Sequence, residues 1–229
     1  MGNFILLPIS YTKEAVREYY RKIHKHEKLI IATKQKPCFC PKCKSTHVNF
    51  TLHECRYRLF HVIIDSLVHT IESFLGRWKC SLCKKTFTSY PEYALPYKRY
   101  VKDHCLSFSQ AYVKDDTETY RSVSSAIGYT TRTQEIDNRM LAWSTVWRWL
   151  RFFGSLKYTL RNAFDLIRQA DPNSPVFRQM FPIYHGKYKS KQRKTSLDQS
   201  IQLFSAEPEY HRIFGHSFFP ELATKSGWS

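Results

Sequence analysis

The 229-residue sequence predicts an α+β fold, in which a small ribbon with a long β-hairpin precedes a mainly α-helical domain. Two cysteine pairs, Cys40–Cys43 and Cys80–Cys83, have the spacing of metal-binding turns. After them, apolar residues recur at helical spacing. The chain therefore divides into an N-terminal strand and helix segment, a ribbon, a helical domain and a basic, aromatic C-terminal extension: 1–37, 38–90, 91–171 and 172–229.

Four cysteines are the predicted ligands of a structural zinc ion. A CxxC turn places two thiolates on one side of the backbone, and two such turns supply the four sulfur ligands of a tetrahedral Zn²⁺ site. Four protein ligands leave no coordination position for water, so the predicted role is structural. The predicted ligands are Cys40, Cys43, Cys80 and Cys83.

The ligand set has alternatives. Cys38 could replace Cys40, although only Cys40 lies two residues before the next cysteine and is followed by proline. Residues inside the hairpin could also replace a ligand, but surface or packing roles are expected for His47, His53 and Cys55. The 36 residues between the two pairs are more than a compact ribbon has between its cysteine pairs, so a long hairpin is expected. The β-branched and aromatic runs in this segment predict strands over Tyr57–Ile64, Thr70–Phe74 and Arg77–Lys79.

The charge of the chain favours a polyanionic partner. Lysine and arginine total 36 against 19 acidic residues, a formal charge of +17, and such an excess favours nucleic acid over a membrane surface. The chain has neither the roughly 18 consecutive apolar residues of a spanning helix nor a signal peptide at its start. We therefore expect a cytoplasmic protein whose seven cysteines are reduced or metal-bound.

The periodicity of apolar residues predicts the helices, and the C-terminal region after Pro175 is expected to be irregular. The short helix near Tyr120 is expected to stop at Gly128. The aromatic stretch from Phe214 to Trp228 is expected to dock back or to meet a partner. The predicted helices cover residues 11–28, 97–113, 119–127, 144–153 and 155–170, with a further short one possible over 134–141.

Two ribbon segments, Cys40–Ser45 and Arg77–Phe87, resemble the zinc ribbon that opens many bacterial insertion-sequence transposases and their accessory proteins. Pro91–Tyr100 is similar to a segment that links such a ribbon to a helical DNA-binding part in proteins associated with mobile elements. The resemblance covers roughly residues 38–155. It implies a role in transposition or regulation, with a transposase as a possible partner protein.

The stretch Ser144–Gly154 resembles the recognition helix of transposase and resolvase helix-turn-helix units. Ser144 is the predicted cap, and the predicted core face consists of Val146, Trp149, Leu150 and Phe153. Fifteen residues, Tyr129–Trp143, separate this helix from the preceding one, whereas a compact helix-turn-helix has three or four. The predicted DNA contacts on this helix are Ser144, Thr145, Trp147, Arg148 and Arg151.

Further phosphate contacts are predicted outside this helix. Arg132 lies in the fifteen-residue insertion, and a basic run occupies residues 187–194. This run reads equally as a solvated loop or as an arm that contacts phosphates. Its predicted contacts are Lys187, Lys189, Lys191, Arg193 and Lys194.

No catalytic motif stands out, and we expect a protein that is not an enzyme. The sequence has no GxxxxGK loop, GxSxG elbow or HExxH helix. Too few strand-like runs follow the predicted recognition helix to carry a three-carboxylate nuclease core. We predict a sequence-selective, double-stranded DNA-binding accessory protein of a mobile element, with a homodimer as one option for its assembly. An RNA-binding protein and a zinc-ribbon adaptor without nucleic-acid specificity are the alternatives.

Overall fold

A computed structural model describes residues 9–34, 36–37, 39–46, 48–114, 118–130, 135–178 and 190–219. The described residues form two compact units. The first, which we call the ribbon unit, contains the described parts of 1–101 and 127–139. The second, the helical unit, contains those of 102–126 and 140–219. The class is α+β, as the sequence predicts.

A long hairpin is the centre of the ribbon unit, as predicted. Strand β1, Phe50–Ile64, pairs antiparallel with β2, Leu67–Cys80, from the pair Phe50↔Cys80 to the pair Ile64↔Leu67. The connecting residues Asp65 and Ser66 both have positive φ, 47° and 63°. A two-residue turn with both residues in this region matches the right-handed twist of paired strands. The turn therefore fixes the register of both strands.

Three short strands extend the hairpin into a mixed sheet. Strand β3, Thr86–Thr88, pairs antiparallel with β2, whereas β4, Gly128–Thr130, pairs parallel with the start of β2. The sheet order is β1-β2-β4-β5, with β5 at Ile136–Met140. The possible helix over 134–141 is therefore wrong. Gly128 is likewise not a helix stop, because its N–H donates to the carbonyl of Ser66 and begins a strand.

Helix α1, Ile9–Ile31, packs on the hairpin and extends the predicted helix at both ends. Val16, Ile23 and Ile30 are buried at seven-residue spacing, which places them on one helix face. Gly76 of β2 allows this approach. A Cβ on Gly76 would lie 3.3 Å from Cγ2 of Ile30 and 2.9 Å from Nε1 of Trp78. The helix thus covers the side of the hairpin that carries Trp78.

The segment after β3 also packs on the hairpin. Tyr93, Ala94 and Val101 are buried in the same apolar cluster as the hairpin residue Phe60. The guanidinium of Arg58 donates hydrogen bonds to the carbonyls of Leu95 and Lys98. The helix predicted from Tyr97 begins only at Lys102. Tyr97 has a left-handed backbone, with a φ of 61°, and the N–H of Val101 donates a hydrogen bond to the carbonyl of His61 in the hairpin.

The helical unit contains five α-helices in its described residues. They are α2 (Lys102–Lys114), α3 (Tyr120–Ser124), α4 (Trp143–Ser155), α5 (Lys157–Ala170) and α6 (Lys191–Phe214), with a 3₁₀ turn at Pro175–Phe177. Helices α4 and α5 pack against α6. The ring centroid of Phe153 in α4 lies 5.2 Å from that of Phe204 in α6 and 5.8 Å from that of Phe219.

Helix α6 corrects the prediction that the chain is irregular after Pro175. Ser190 caps it, because its Oγ accepts a hydrogen bond from the backbone N–H of Arg193. Gly215, with a φ of 72°, ends it in a left-handed conformation. Phe218 and Phe219 then fold back and are buried, as expected for the terminal aromatic stretch, whose residues 220–228 lie outside the described residues. Within the described chain, every helix is too short or too polar to cross a lipid bilayer.

Candidate metal centre and candidate nucleic-acid interface

Four thiols of the ribbon unit lie close enough to bind one metal ion. All four sulfur atoms are within 4.8 Å of one another. The Sγ atoms of Cys40 and Cys83 are 3.7 Å apart, and those of Cys43 and Cys80 are 3.9 Å apart. Tetrahedral coordination at the usual zinc–thiolate distance of about 2.3 Å would separate two sulfurs by about 3.8 Å. The donor set and its spacing therefore fit a tetrahedral, thiolate-bound metal ion.

The two CxxC turns repeat one backbone conformation. The backbone N–H of Lys44, one residue after the first pair, donates a hydrogen bond of 2.7 Å to the carbonyl of Cys40. The N–H of Lys84 donates an equivalent bond of 3.0 Å to the carbonyl of Cys80. Both lysines have a left-handed backbone, with φ of 60° and 61°. This conformation turns the chain sharply after the second cysteine, so both thiols of a pair face the same point.

The surroundings bury one cysteine of each pair, whereas Cys43 and Cys83 are partly exposed. Cys40 and Cys80 are fully buried and pack with Phe50, Trp78 and Ile30. Burial alone would raise the pKa of the Cys80 thiol, but hydrogen bonds from backbone N–H groups and neighbouring thiols outweigh it and lower this pKa to about 7. Burial and four protein ligands are typical of a structural rather than a catalytic metal site.

The alternative ligands are not in this cluster. Cys55 and His53 are exposed on β1. Cys38 and His47 lie outside the described residues, so the exchange of Cys38 for Cys40 stays untested, although Cys40 does lie in the four-thiol cluster. Cys105 is fully buried in the helical unit, as expected for a small apolar side chain.

Helix α4 presents the predicted contact residues on a firmly anchored helix. The four predicted core residues are all buried: Val146, Trp149, Leu150 and Phe153. On the opposite side, Arg148 and Arg151 are exposed, and Trp147 is 38% exposed. Thr145 is half-buried. The helix contains no acidic residue, so its exposed arginines have no carboxylate beside them on α4.

The predicted cap of α4 is wrong. The helix begins at Trp143, and its N-cap is Ala142, which provides no side-chain hydrogen bond. Thr145 N–H instead donates to the Ala142 carbonyl at 2.8 Å. Ser144 therefore lies within the first turn, half-buried, and cannot act as a cap. The preceding insertion holds β4 and β5, so no tight turn joins α3 to α4.

The basic run is partly helical. Lys191, Arg193 and Lys194 form the first turn of α6, which corrects the reading of this part as a loop. Lys191 and Lys194 are exposed, whereas Arg193 is half-buried. Three other predicted contacts lie outside the described residues, namely Arg132, Lys187 and Lys189.

A cleft of about 320 Å³ brings Arg151 and Arg193 to one place. Of the predicted contacts, Trp147 also lines it, whereas Arg148 does not. The remaining described lining comes from α3, α4 and the start of α6: Tyr120, Leu150, Ser190, Gln192, Ser196 and Leu197. We call this the α3–α4–α6 cleft.

Sequence reasoning missed Tyr120 and Tyr112 as the support of this cleft. Their rings stack at a centroid distance of 4.2 Å and an angle of 9°. The Arg193 guanidinium lies 5.4 Å from the Tyr120 ring centroid and donates a hydrogen bond to the Tyr112 hydroxyl. Burial, together with the Tyr112 hydroxyl, raises the pKa of Tyr120 well above its ordinary value. Both rings thus hold Arg193 in a fixed orientation without an acidic group.

Comparison of the chain with protein-family models, with curated proteins and with solved structures finds no match.

Proposed function

We propose that this protein is a sequence-selective, double-stranded DNA-binding accessory protein of a mobile element, which acts by binding and not by catalysis. The observation that carries the proposal is α4: its buried face fixes the helix, while Trp147, Arg148 and Arg151 face outward. Arginine can pair bidentately with guanine in the major groove. A helix whose exposed side carries arginines and no carboxylate suits contact with both bases and phosphates.

Charge on the ribbon unit adds affinity in this proposal. Helix α1 exposes basic side chains that repeat every three to four residues, of which the first two also form ion pairs with Glu14: Arg17, Arg21, Lys25 and Lys28. Such a row of side chains supplies phosphate contacts, and each neutralised phosphate releases counterions. The overall charge of +17 supports the same role. We expect DNA affinity to fall steeply as salt rises.

Zinc is the metal that we assign to the four-thiol site. Four clustered thiols at tetrahedral spacing, two of them fully buried, match the usual ligand set of structural Zn²⁺. The zinc stabilises the ribbon unit and takes no part in a reaction. The link to mobile elements is supported by the resemblance of the ribbon and of the Ser144–Gly154 stretch to transposase-associated proteins, and a transposase is the proposed protein partner.

Selection from random duplex DNA tests the proposal. The purified, zinc-loaded chain is incubated with random-sequence duplexes near physiological salt, and the bound pool is sequenced over successive rounds. Enrichment of a defined motif is the expected result, and an inverted repeat within it would indicate a homodimer. Binding of single-stranded RNA in preference to duplex DNA would replace the proposal with an RNA-binding function. Weak binding with little salt dependence would instead favour a protein-interaction adaptor.

Substitution of Arg148 tests whether α4 reads sequence. Arg148→Ala is expected to weaken binding to the selected motif about tenfold more than binding to unrelated duplex, because a lost base contact costs about 1–3 kcal/mol. Arg161→Ala, which removes an exposed arginine from α5, is the matched control and is expected to leave this ratio unchanged. Equal losses on both duplexes would limit Arg148 to a phosphate contact.

A further inference from the structure

The α3–α4–α6 cleft combines two guanidinium groups with no opposing carboxylate. Arg151 and Arg193 line it, and none of its described lining residues is acidic. Within the part of the chain that the structure describes, neither arginine forms an ion pair. Aromatic rings hold them instead, because Arg151 lies 5.3 Å from the Trp147 ring centroid and Arg193 lies 5.4 Å from that of Tyr120. Two guanidiniums without a carboxylate partner in the described chain suit a phosphate group.

The same cleft has an apolar and aromatic part. Leu150 and Leu197 line it, and both are buried. Trp147 remains 38% exposed although Arg151 lies over one face of its indole. An exposed indole surface beside an apolar floor suits a flat aromatic ligand such as a nucleobase, which stacks on aromatic side chains regardless of its sequence. A volume of about 320 Å³ is at the lower end for small-ligand pockets.

From these two parts, we propose that the cleft holds a single unpaired nucleotide of the bound nucleic acid. Its base stacks on Trp147, and its phosphate lies between Arg151 and Arg193. This inference rests on the proposed function, because Arg148 and Arg151 are three residues apart on one face of α4. Nucleic acid in contact with Arg148 would therefore run beside the mouth of the cleft. A simple anion would contact only the two arginines, whereas a nucleotide contacts both the arginines and the apolar, aromatic part of the cleft.

A pair of duplexes tests this inference with the full, zinc-loaded chain. One is fully paired, and the other has the same sequence with one bulged fluorescent purine analogue. We expect about tenfold tighter binding of the bulged duplex, together with quenching of the analogue as it stacks. Trp147→Ala is expected to abolish both the preference and the quenching. Trp143→Ala is the matched control, since Trp143 is exposed on the same helix and does not line the cleft.

The arginines are tested in the same way. Arg151→Gln is expected to remove most of the preference for the bulged duplex, whereas Arg148→Gln is expected to weaken binding to both duplexes and to keep the preference. Equal affinity of the unaltered protein for the two duplexes would overturn the cleft inference and leave duplex binding intact. Tight binding of unpaired strands with no binding of the paired duplex would support the cleft and overturn the proposed function. Absence of binding to either duplex would overturn both.

Discussion

The two units of this protein are held together in different ways. The ribbon unit has four thiols at one end of a long hairpin, which has one register shift between Leu52 and Glu54, and the residues that form this centre come from two short turns. The helical unit has aromatic contacts between helices distant in sequence, such as Phe153 with Phe204 and Phe219. Both units have an apolar core, but among the described residues only the ribbon unit adds a cluster of four thiols that could hold a metal ion.

Loss of a thiol should have the largest effect and should be confined to the ribbon unit. Cys80→Ser is expected to release the metal and to disorder the hairpin end near Phe50, because structural zinc sites contribute on the order of 10 kcal/mol in small domains. Metal content and hydrogen–deuterium exchange of peptides from β1 and α4 would measure this. Unchanged metal content with unchanged exchange in β1 would refute the metal centre.

The control for this change is another cysteine of the same unit. Cys55 is exposed on β1 and is not one of the four clustered thiols. Cys55→Ser is therefore expected to keep the metal and the protection of the hairpin. If both variants lost the metal, the loss would result from a general disturbance of the hairpin and not from the removal of a metal ligand.

A core truncation in the helical unit should have the next largest effect and should spare the metal. Phe153 is 1% exposed and contacts the rings of Phe204 and Phe219. Phe153→Ala is expected to lower the free energy of unfolding by about 3–5 kcal/mol, because the lost ring leaves a cavity. Urea denaturation with metal analysis would test this. Metal loss equal to that of Cys80→Ser would contradict the expectation that a change in the helical unit spares the metal.

Each unit also has a glycine that lies close to a neighbouring element, Gly154 in α4 and Gly76 in β2. A larger side chain at these two positions should destabilise the protein by different amounts. A Cβ on Gly154 of α4 would lie 2.6 Å from the backbone oxygen of Ser196 in α6, whereas a Cβ on Gly76 would meet side chains of Trp78 and Ile30. Side chains can move more easily than a packed helix backbone.

Alanine at these two glycines measures that difference. Gly154→Ala is expected to destabilise the protein by about 1–3 kcal/mol, which is the usual cost of overpacking, and Gly76→Ala by less. Thermal denaturation of both variants against the unaltered protein is the measurement. A larger loss for Gly76→Ala would show that the ribbon unit is the more rigidly packed of the two.

Acid sensitivity should be the smallest effect, and both units should share it. Burial and the charges of Arg99 and Arg139 lower the pKa of His61 to about 4, and burial, opposed by Asp103, lowers that of His104 to about 4. Unfolded histidine has a pKa of about 6.5, so the unfolded chain binds more protons than the folded one between about pH 6.5 and 4. The stabilising contribution is complete above this window and is lost as the pH falls through it.

Replacement of each histidine tests that dependence. We expect His61→Gln and His104→Gln each to reduce the loss of stability between pH 6.5 and pH 4.5 by about 1–2 kcal/mol, after allowance for solvent screening. The urea midpoint of each variant at the two pH values would be compared with the unaltered chain, so that acid release of the metal cancels. An unchanged pH dependence in both variants would place the acid-sensitive groups elsewhere.

The parts of the molecule that the sequence predicts well are those set by local spacing. The CxxC turns and the buried face of α4 follow directly from residues two to four positions apart. Helix α6 does not, because it is buried on several sides and has no single apolar stripe, and because Pro208 lies inside it. Strand β4 is equally difficult to predict from the sequence, because Gly128 pairs with Leu67, which lies far back in the chain.

The candidate cleft shows the same limit. Its supporting residues Tyr112, Tyr120 and Arg193 come from three separate helices, and no pattern within one segment relates them. From the sequence, Arg193 is only one cation in a basic run. Its fixed position depends on packing among helices, which pattern reasoning along the chain does not describe.

The position of the second cysteine pair has a consequence for how the hairpin reaches its native alignment. Cys80 is opposite Phe50 at the open end of the hairpin, fourteen positions from the turn at Asp65 and Ser66. A slip of one residue would turn every side chain of β2 to the opposite face and carry Cys80 away from Cys40 and Cys43. A misaligned chain would offer only two thiols at this point, so a metal ion that needs all four would bind, and stabilise, only the correctly aligned hairpin.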